Sequence, residues 1–133
     1  MVYQVREIRS ETRNQFLDIT EELKKIVKTS GVSDGIMLVF CPHTTAGLTI
    51  NENADPDVSA DIIDEMVRQY PKKSLYKHFE GNSDAHIKSS LIGPSLSLIV
   101  QGGTLCLGRW QGVYFCEFDG PRSREFWVKI VAG

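Results

Sequence analysis

The last forty residues hold four short apolar runs, 95–100 and 104–107 flanking the turn signal Gly102-Gly103, and 113–118 and 125–131 flanking Gly120-Pro121. Runs of strand length joined by such turns predict consecutive hairpins, the second with a longer loop. Hairpins make antiparallel pairs, and strands grouped together rather than alternating with helices predict an α+β fold. The length agrees with this. A chain of 133 residues supports one domain over 1–133 and falls well short of the ~250 residues of a (β/α)₈ barrel.

The rest of the chain is legible in the same terms. Residues 2–9 and 16–19 suit strands. Ile19, Leu23, Ile26 and Val27 recur at helical spacing and Gly31 stops the pattern, which predicts a helix over 20–30. Asp18 and Glu21 fit a capping box at its start, with Thr20 as the rival cap. The apolar run 35–41 ends at Pro42, and the alternating segment 47–52 reads as its partner strand. Asp55-Pro56 is a helix start, with the carboxylate as cap and Pro at the first position. Val58, Ile62, Ile63, Met66 and Val67 then form one apolar face as far as Tyr70-Pro71. Residues 72–83 are loop-like, and Asn82 or Ser83 can cap a short helix over 84–92. The total is about seven strands and two to three helices in a largely antiparallel arrangement.

Composition narrows the function. The net charge of −2 argues against a protein that holds nucleic acid by bulk positive charge. Cys41, Cys106 and Cys116 form no C-x-x-C pair, and their odd count suits reduced, buried thiols. The N-terminus has no apolar signal-peptide core, and no apolar run reaches ~18 residues, so a soluble cytoplasmic protein with no membrane span is expected.

Three polar clusters carry the candidate chemistry. The only histidines, His43, His78 and His86, each fall in a loop or at the end of an element. Three imidazoles and one open position are the inventory of a catalytic zinc site. The plainer alternative is three unrelated surface histidines, since their spacing matches no local metal motif. The second cluster is Asn51, Glu52, Asn53, Asp55, Asp57 and Asp61. Glu52 and Asp55 suit general acid/base work or Mg²⁺ ligation, and Asp55 equally suits a helix cap. The third suits an anion: Gly81-Asn82-Ser83 at a helix start, Lys88 and Ser89 one turn on, and Arg122 and Arg124 in the Gly120–Arg124 turn. Trp110-Gln111 could lie beside a heteroaromatic ligand. A buried Glu117 would need a partner, for which Arg122 and Arg124 are the candidates. The chain has no G-x-S-x-G elbow, Walker loop or dinucleotide fingerprint.

Taken together, HTTAGLTINENADPDV (43–58), EGNSDAHIKSSLIGPSLSLIV (80–100) and LGRWQGVYFCEFDGPRSRE (107–125) closely resemble the YjbQ family, small proteins also described as secondary thiamine-phosphate synthases. The resemblance extends over essentially the whole chain. It implies two packed β-sheets and a homotrimer with a pocket near the subunit interfaces. It implies that His43, His78 and His86 ligate a divalent metal, zinc in the first instance, with Mg²⁺ an option for a diphosphate substrate. It places Asn51, Glu52, Asp55 and Asp61 beside the metal or substrate, and Gly81, Asn82, Lys88 and Ser89 in an anion-binding segment. Arg122 and Arg124 carry over less closely. The implied activity is that of a transferase coupling an aminopyrimidine diphosphate to a thiazole phosphate, forming thiamine phosphate and pyrophosphate. Two other readings fit the same residues: a metal-dependent hydrolase of a small phosphorylated metabolite, and a non-enzymatic trimeric binder of metal or phosphometabolite.

Overall fold

The computed structural model describes residues 2–133. In chain order the elements are β1 (Val2–Arg9), β2 (Gln15–Asp18), α1 (Thr20–Ser30), β3 (Gly35–Phe40), β4 (Ala46–Glu52), α2 (Pro56–Gln69), α3 (Ser83–Ile92), β5 (Ser95–Gln101), β6 (Thr104–Cys106), β7 (Gln111–Glu117) and β8 (Ser123–Ala132). The α1 helix spans the predicted 20–30 and ends on Gly31, which takes the left-handed conformation (φ 71°) open to glycine. Its start differs from the expected capping box. The N-cap is Ile19, and the Asp18 carboxylate accepts both the Thr20 amide (2.9 Å) and the Thr20 hydroxyl (2.5 Å). The α2 start is as expected, with Asp55 accepting the Asp57 amide at 2.9 Å and Pro56 leading the helix.

The fold is α+β, with two antiparallel sheets: five strands in the order β1-β8-β3-β5-β6 and three in the order β2-β7-β4. The β5–β6 pair is the hairpin that Gly102-Gly103 predicts. The other predicted hairpin is not formed, because β7 and β8 lie in different sheets and Gly120-Pro121 is a crossover. Likewise β3 and β4 do not pair, since β3 lies between β8 and β5 while β4 pairs with β7. In both places the strands are readable as runs of strand length, but the choice of neighbour is set by residues distant in sequence.

Period-two alternation sorts β7 between two cores. Val113 and Phe115 face the main core with Met37 and Val39 of β3, Phe126, Val128 and Ile130 of β8, and Leu23, Ile26 and Val27 of α1. Tyr114 and Cys116 face the other way, where Phe118 and Ala85 of α3 complete a smaller cluster flanked by Met66 and Ile92. The α3 helix thus covers the outer side of the three-stranded sheet. The α2 helix lies against β2 and β4 and fully buries none of its residues.

A buried ion pair closes the corner where the chain crosses between sheets. Glu117 of β7 is fully buried and Arg124 of β8 nearly so. Arg124 Nε donates to Glu117 Oε1 at 2.9 Å, and Arg124 Nη2 donates to Glu117 Oε2 and to Thr45 Oγ1 (2.8 Å). Ser10 Oγ (2.7 Å) and the Asp119 amide (2.9 Å) also donate to the Glu117 carboxylate. A Cβ on Gly120 would collide with the Thr12 carbonyl oxygen and Ser10 Oγ, so the crossover admits only glycine.

Burial opposes the charge on Glu117, but the hydrogen bonds from Arg124, Ser10 and Asp119 outweigh it and hold the carboxyl below its usual range. Its folded pKa therefore lies below its unfolded one. The stability it contributes is present above the unfolded value and is lost as pH falls through the folded value. Thermal unfolding should accordingly show wild type losing stability more steeply than Glu117→Gln as pH drops below the carboxylate range; parallel curves would contradict this. Arg124→Met strands a buried carboxylate, and denaturant titration should show a loss of about 3–5 kcal/mol.

Candidate functional site

The crossover loop meets the N-terminus of α3, and charged groups concentrate there. Arg13 donates bidentately to Asp84 (2.8 and 3.1 Å) and lies 3.7 Å from Asp119. Arg122 donates through Nη2 to Asp119 Oδ2 (3.0 Å) and through Nε to the Asp119 carbonyl (2.9 Å). Lys88 Nζ donates to Asn14 (2.9 Å) and Asp84 (3.3 Å). Three cations thus surround two carboxylates. The side chains of Arg13 and Arg122 are 30% and 49% exposed, whereas that of Lys88 is 1% exposed.

The environment shifts these groups in opposite senses. Burial opposes the Asp84 carboxylate, but bonds from Arg13 and Lys88 outweigh it and lower its pKa. Hydrogen bonding to Asp84 raises Arg13. Burial pushes Lys88 down, with Asp84 pulling against it. Beside them, Gly81 takes a positive φ of 76° and leads into Asn82 at the N-cap of α3. Asn82 does not cap the helix. Its Nδ2 donates to Asp119 at 2.8 Å, and its Oδ1 is buried without a hydrogen-bond partner among the described residues. The first turn of α3 therefore has no side-chain cap.

The histidines divide into a pair and a single residue. The rings of His78 and His86 meet edge to face, 5.4 Å between centroids, and His78 Nε2 is 3.5 Å from Glu80 Oε1. His43 sits elsewhere, its ring 6.3 Å from that of Phe115 on the main-core side of β7. Its Nε2 lies 3.0 Å from both the amide and the carbonyl of Glu125, so either tautomer finds a backbone partner. Burial, followed by the nearby Arg124 charge, lowers its pKa and favours the neutral ring. Among the described residues no three His, Cys, Asp or Glu side chains converge to hold a metal. Within one chain the three expected ligands are divided between the His78–His86 pair and His43.

The family model for UPF0047 YjbQ-like proteins matches residues 4–133. The chain belongs to the YjbQ family. The UPF0047 protein YugU of Bacillus subtilis is 48% identical over 94% of this chain and 96% of its own. The UPF0047 protein MJ1081 of Methanocaldococcus jannaschii is 52% identical over 94% and 91%. A crystal structure of a YjbQ/UPF0047 protein from Clostridium acetobutylicum is 56% identical and superposes with a TM-score of 0.94, covering 96% of this chain and 99% of its own. One of a protein from Aeropyrum pernix is 33% identical with a TM-score of 0.95 over 100% of both chains.

Within this YjbQ-family chain the expected site residues separate by environment. Arg122, Gly81 and Asn82 lie at the cationic corner. Lys88, Ser89 and Arg124, expected to meet phosphate, are committed inside the fold: Lys88 to Asp84 and Asn14, Ser89 to the Ala46 carbonyl (2.6 Å), and Arg124 to Glu117 and Thr45. The acidic cluster lies at the other end of β4. There the Glu52 carbonyl accepts the Tyr114 hydroxyl at 3.2 Å, Asn51 accepts the Glu52 amide, and Gln111 accepts the Gly108 amide. Asn53 donates to Asp18 (3.0 Å), Asp55 serves as the α2 cap, and Asp61 is exposed on α2. Cys41 and Cys116 are buried as expected, but Cys106 is exposed. Sequence reasoning missed Arg13, Asp84 and Asn14. Asp84 sits beside a motif histidine, but no local pattern ties it to Arg13, 71 positions away.

The burial of Lys88 has a direct check. Under native conditions an amine-acylating reagent should label Lys72, Lys73 and Lys77, all exposed, and spare Lys88, which becomes labelled only in denaturant. Native labelling of Lys88, read by mass spectrometry, would place its amine at the surface.

Proposed function

We propose that this chain is a transferase that acts on phosphorylated small molecules. It joins an aminopyrimidine diphosphate to a thiazole phosphate, giving thiamine phosphate and pyrophosphate. One observation carries the reading: two partly exposed guanidinium groups, Arg13 and Arg122, meet beside the uncapped first turn of α3. Each guanidinium has five N–H donors, and Asp84 and Asp119 use only some of them. Helix-terminal amides and forked guanidinium donors are the groups that receive phosphate oxygens.

In this reaction the thiazole nitrogen gives its lone pair to the methylene carbon of the pyrimidine. The bond from that carbon to the diphosphate oxygen breaks, and pyrophosphate leaves with the electron pair. Arg122 and the α3 amides receive the departing charge as it develops. Asp119 and Asp84 hold the two guanidinium groups in place. Because one chain does not close a metal site, no step is assigned to a metal. The family resemblance also carries a homotrimer as the working assembly, and the incompletely buried α2 helix is consistent with further contacts between copies.

The test supplies both substrates and measures thiamine phosphate and pyrophosphate. Wild type should form both products in equal amounts. Arg122→Ala should lower kcat/KM by roughly tenfold to a hundredfold, the 1.5–3 kcal/mol of a hydrogen bond to a charged group, with unchanged thermal stability. No product from wild type would overturn the synthase reading, and turnover of one substrate alone would identify a hydrolase.

A further inference from the structure

The connection between α2 and α3 carries the most exposed large apolar side chains among the described residues: Leu75 is 89% and Phe79 92% exposed. At such exposure a side chain stands out from the surface rather than lining a hollow. The base of the connection is held. The Tyr70 amide donates to the Met66 carbonyl at 2.9 Å, the Gly81 amide donates to the His78 carbonyl at 3.2 Å, and the His78 ring meets that of His86 on α3. Leu75 and Phe79 are thus presented to water between fixed ends, forgoing the stabilisation that burial gives apolar surface. Apolar groups displayed in this way mark a surface that meets something else.

The charge around them is of one sign. Residues 66–79 contain Arg68, Lys72, Lys73 and Lys77 and no Asp or Glu, on a chain whose net charge is −2. Arg68 is shared with Glu65 at 3.1 Å, but the three lysines are exposed on the connection itself. The other lysine-rich stretch, Lys24, Lys25 and Lys28 of α1, differs in being preceded by Glu21 and Glu22, and Lys24 donates to Glu21 at 3.5 Å.

Convex apolar tips ringed by ammonium groups fit one kind of surface. A bilayer with anionic headgroups offers negative charge at its surface and, ~5–10 Å below, an apolar layer that accepts such tips without a preformed pocket. A protein partner has to supply a pocket for each. We infer that the connection between α2 and α3 docks this chain on an anionic lipid surface, with Leu75 and Phe79 entering the boundary between headgroups and acyl chains and Lys72, Lys73 and Lys77 resting on the headgroups. Lysine stems are themselves apolar, so the ammonium groups stay at headgroup level while the stems follow the tips inward. The contact is peripheral: two side chains enter, and no helix among the described residues is long and apolar enough to cross a bilayer. Because the chain is acidic on balance, an anionic surface attracts this connection and repels the rest, which turns the loop towards it.

Vesicle flotation with the full chain tests this, using vesicles of phosphatidylcholine alone and of phosphatidylcholine mixed with phosphatidylserine. Wild type should float with the mixed vesicles and not with phosphatidylcholine alone, and high salt should release it. Lys72→Gln/Lys73→Gln/Lys77→Gln should weaken partitioning about fivefold per lysine. Leu75→Ser/Phe79→Ser should weaken it roughly tenfold per side chain. All five positions are exposed, so circular dichroism should not change. Equal flotation with both vesicles, or a variant that partitions like wild type, refutes the docking loop. Wild type that floats with neither also refutes it, and returns the apolar tips to a protein partner. Amine acylation of wild type is a second test that needs no variant to fold. Mixed vesicles should protect Lys72, Lys73 and Lys77 and leave Lys24 and Lys25 reactive. Protection of the α1 lysines with the loop still labelled would overturn the assignment.

Discussion

The Glu117–Arg124 pair decides how the two sheets meet. Its partners belong to adjacent strands in sequence but to different sheets, and the two residues between which the chain turns are only seven apart. A carboxylate and a guanidinium removed from water lose several kcal/mol of hydration each, and only good geometry with further hydrogen bonds recovers it. Here the bonds come from Ser10, Thr45 and the Asp119 amide. The pair therefore fixes four pieces of chain at once: the end of β1, the segment before β4, the end of β7 and the start of β8. An apolar pair of equal volume would fill the corner without setting the direction of any of them.

Both candidate regions hang from that corner. The Asp119 amide is tied to Glu117, and the Asp119 carboxylate gathers Asn82 and Arg122. The segment containing Thr45 is tied to Arg124, and His43, two residues earlier, bonds the backbone of Glu125 on β8. The Arg13–Asp84–Lys88 network joins from the other side, anchoring α3 to the β1–β2 connection. Buried charge is expensive wherever it occurs, and its concentration here holds an exposed cationic surface on a rigid base.

What the sequence shows is mostly local. The α1 helix is legible because its apolar spacing and terminal glycine are contained within residues 19–31, and the β5–β6 hairpin because Gly102-Gly103 joins its two strands directly. Gly120-Pro121 carries an equally strong turn signal, yet β8 finds its neighbours in β1 and β3, from the first third of the chain. Turn chemistry reports that the chain reverses, not which sheet receives the next strand. The site divides in the same way. A glutamate alternating with buried residues announces that it needs a cation, and Arg124 was among the candidates. Lys88 gives no such notice of its burial: Asp84 lies four residues away, but its other partner, Asn14, is 74 positions distant.

The histidines and the cationic corner show why residue inventory and geometry diverge. Three imidazoles in loops or near the ends of elements are enough to suggest a metal, but a ligand set exists only where the donors converge. The fold brings His78 to His86 and holds His43 against the Phe115 ring and the Glu125 backbone. The charge count misleads in the other direction. A net charge of −2 lowers the expectation of a polyanion, whose binding needs positive charge spread over many phosphates. It does not bear on a single phosphate, which is selected over the short range of a hydrogen bond. Arg13, Arg122 and the first turn of α3 form a local surplus of donors on a weakly acidic protein. That scale is the one the proposed phosphorylated substrates require.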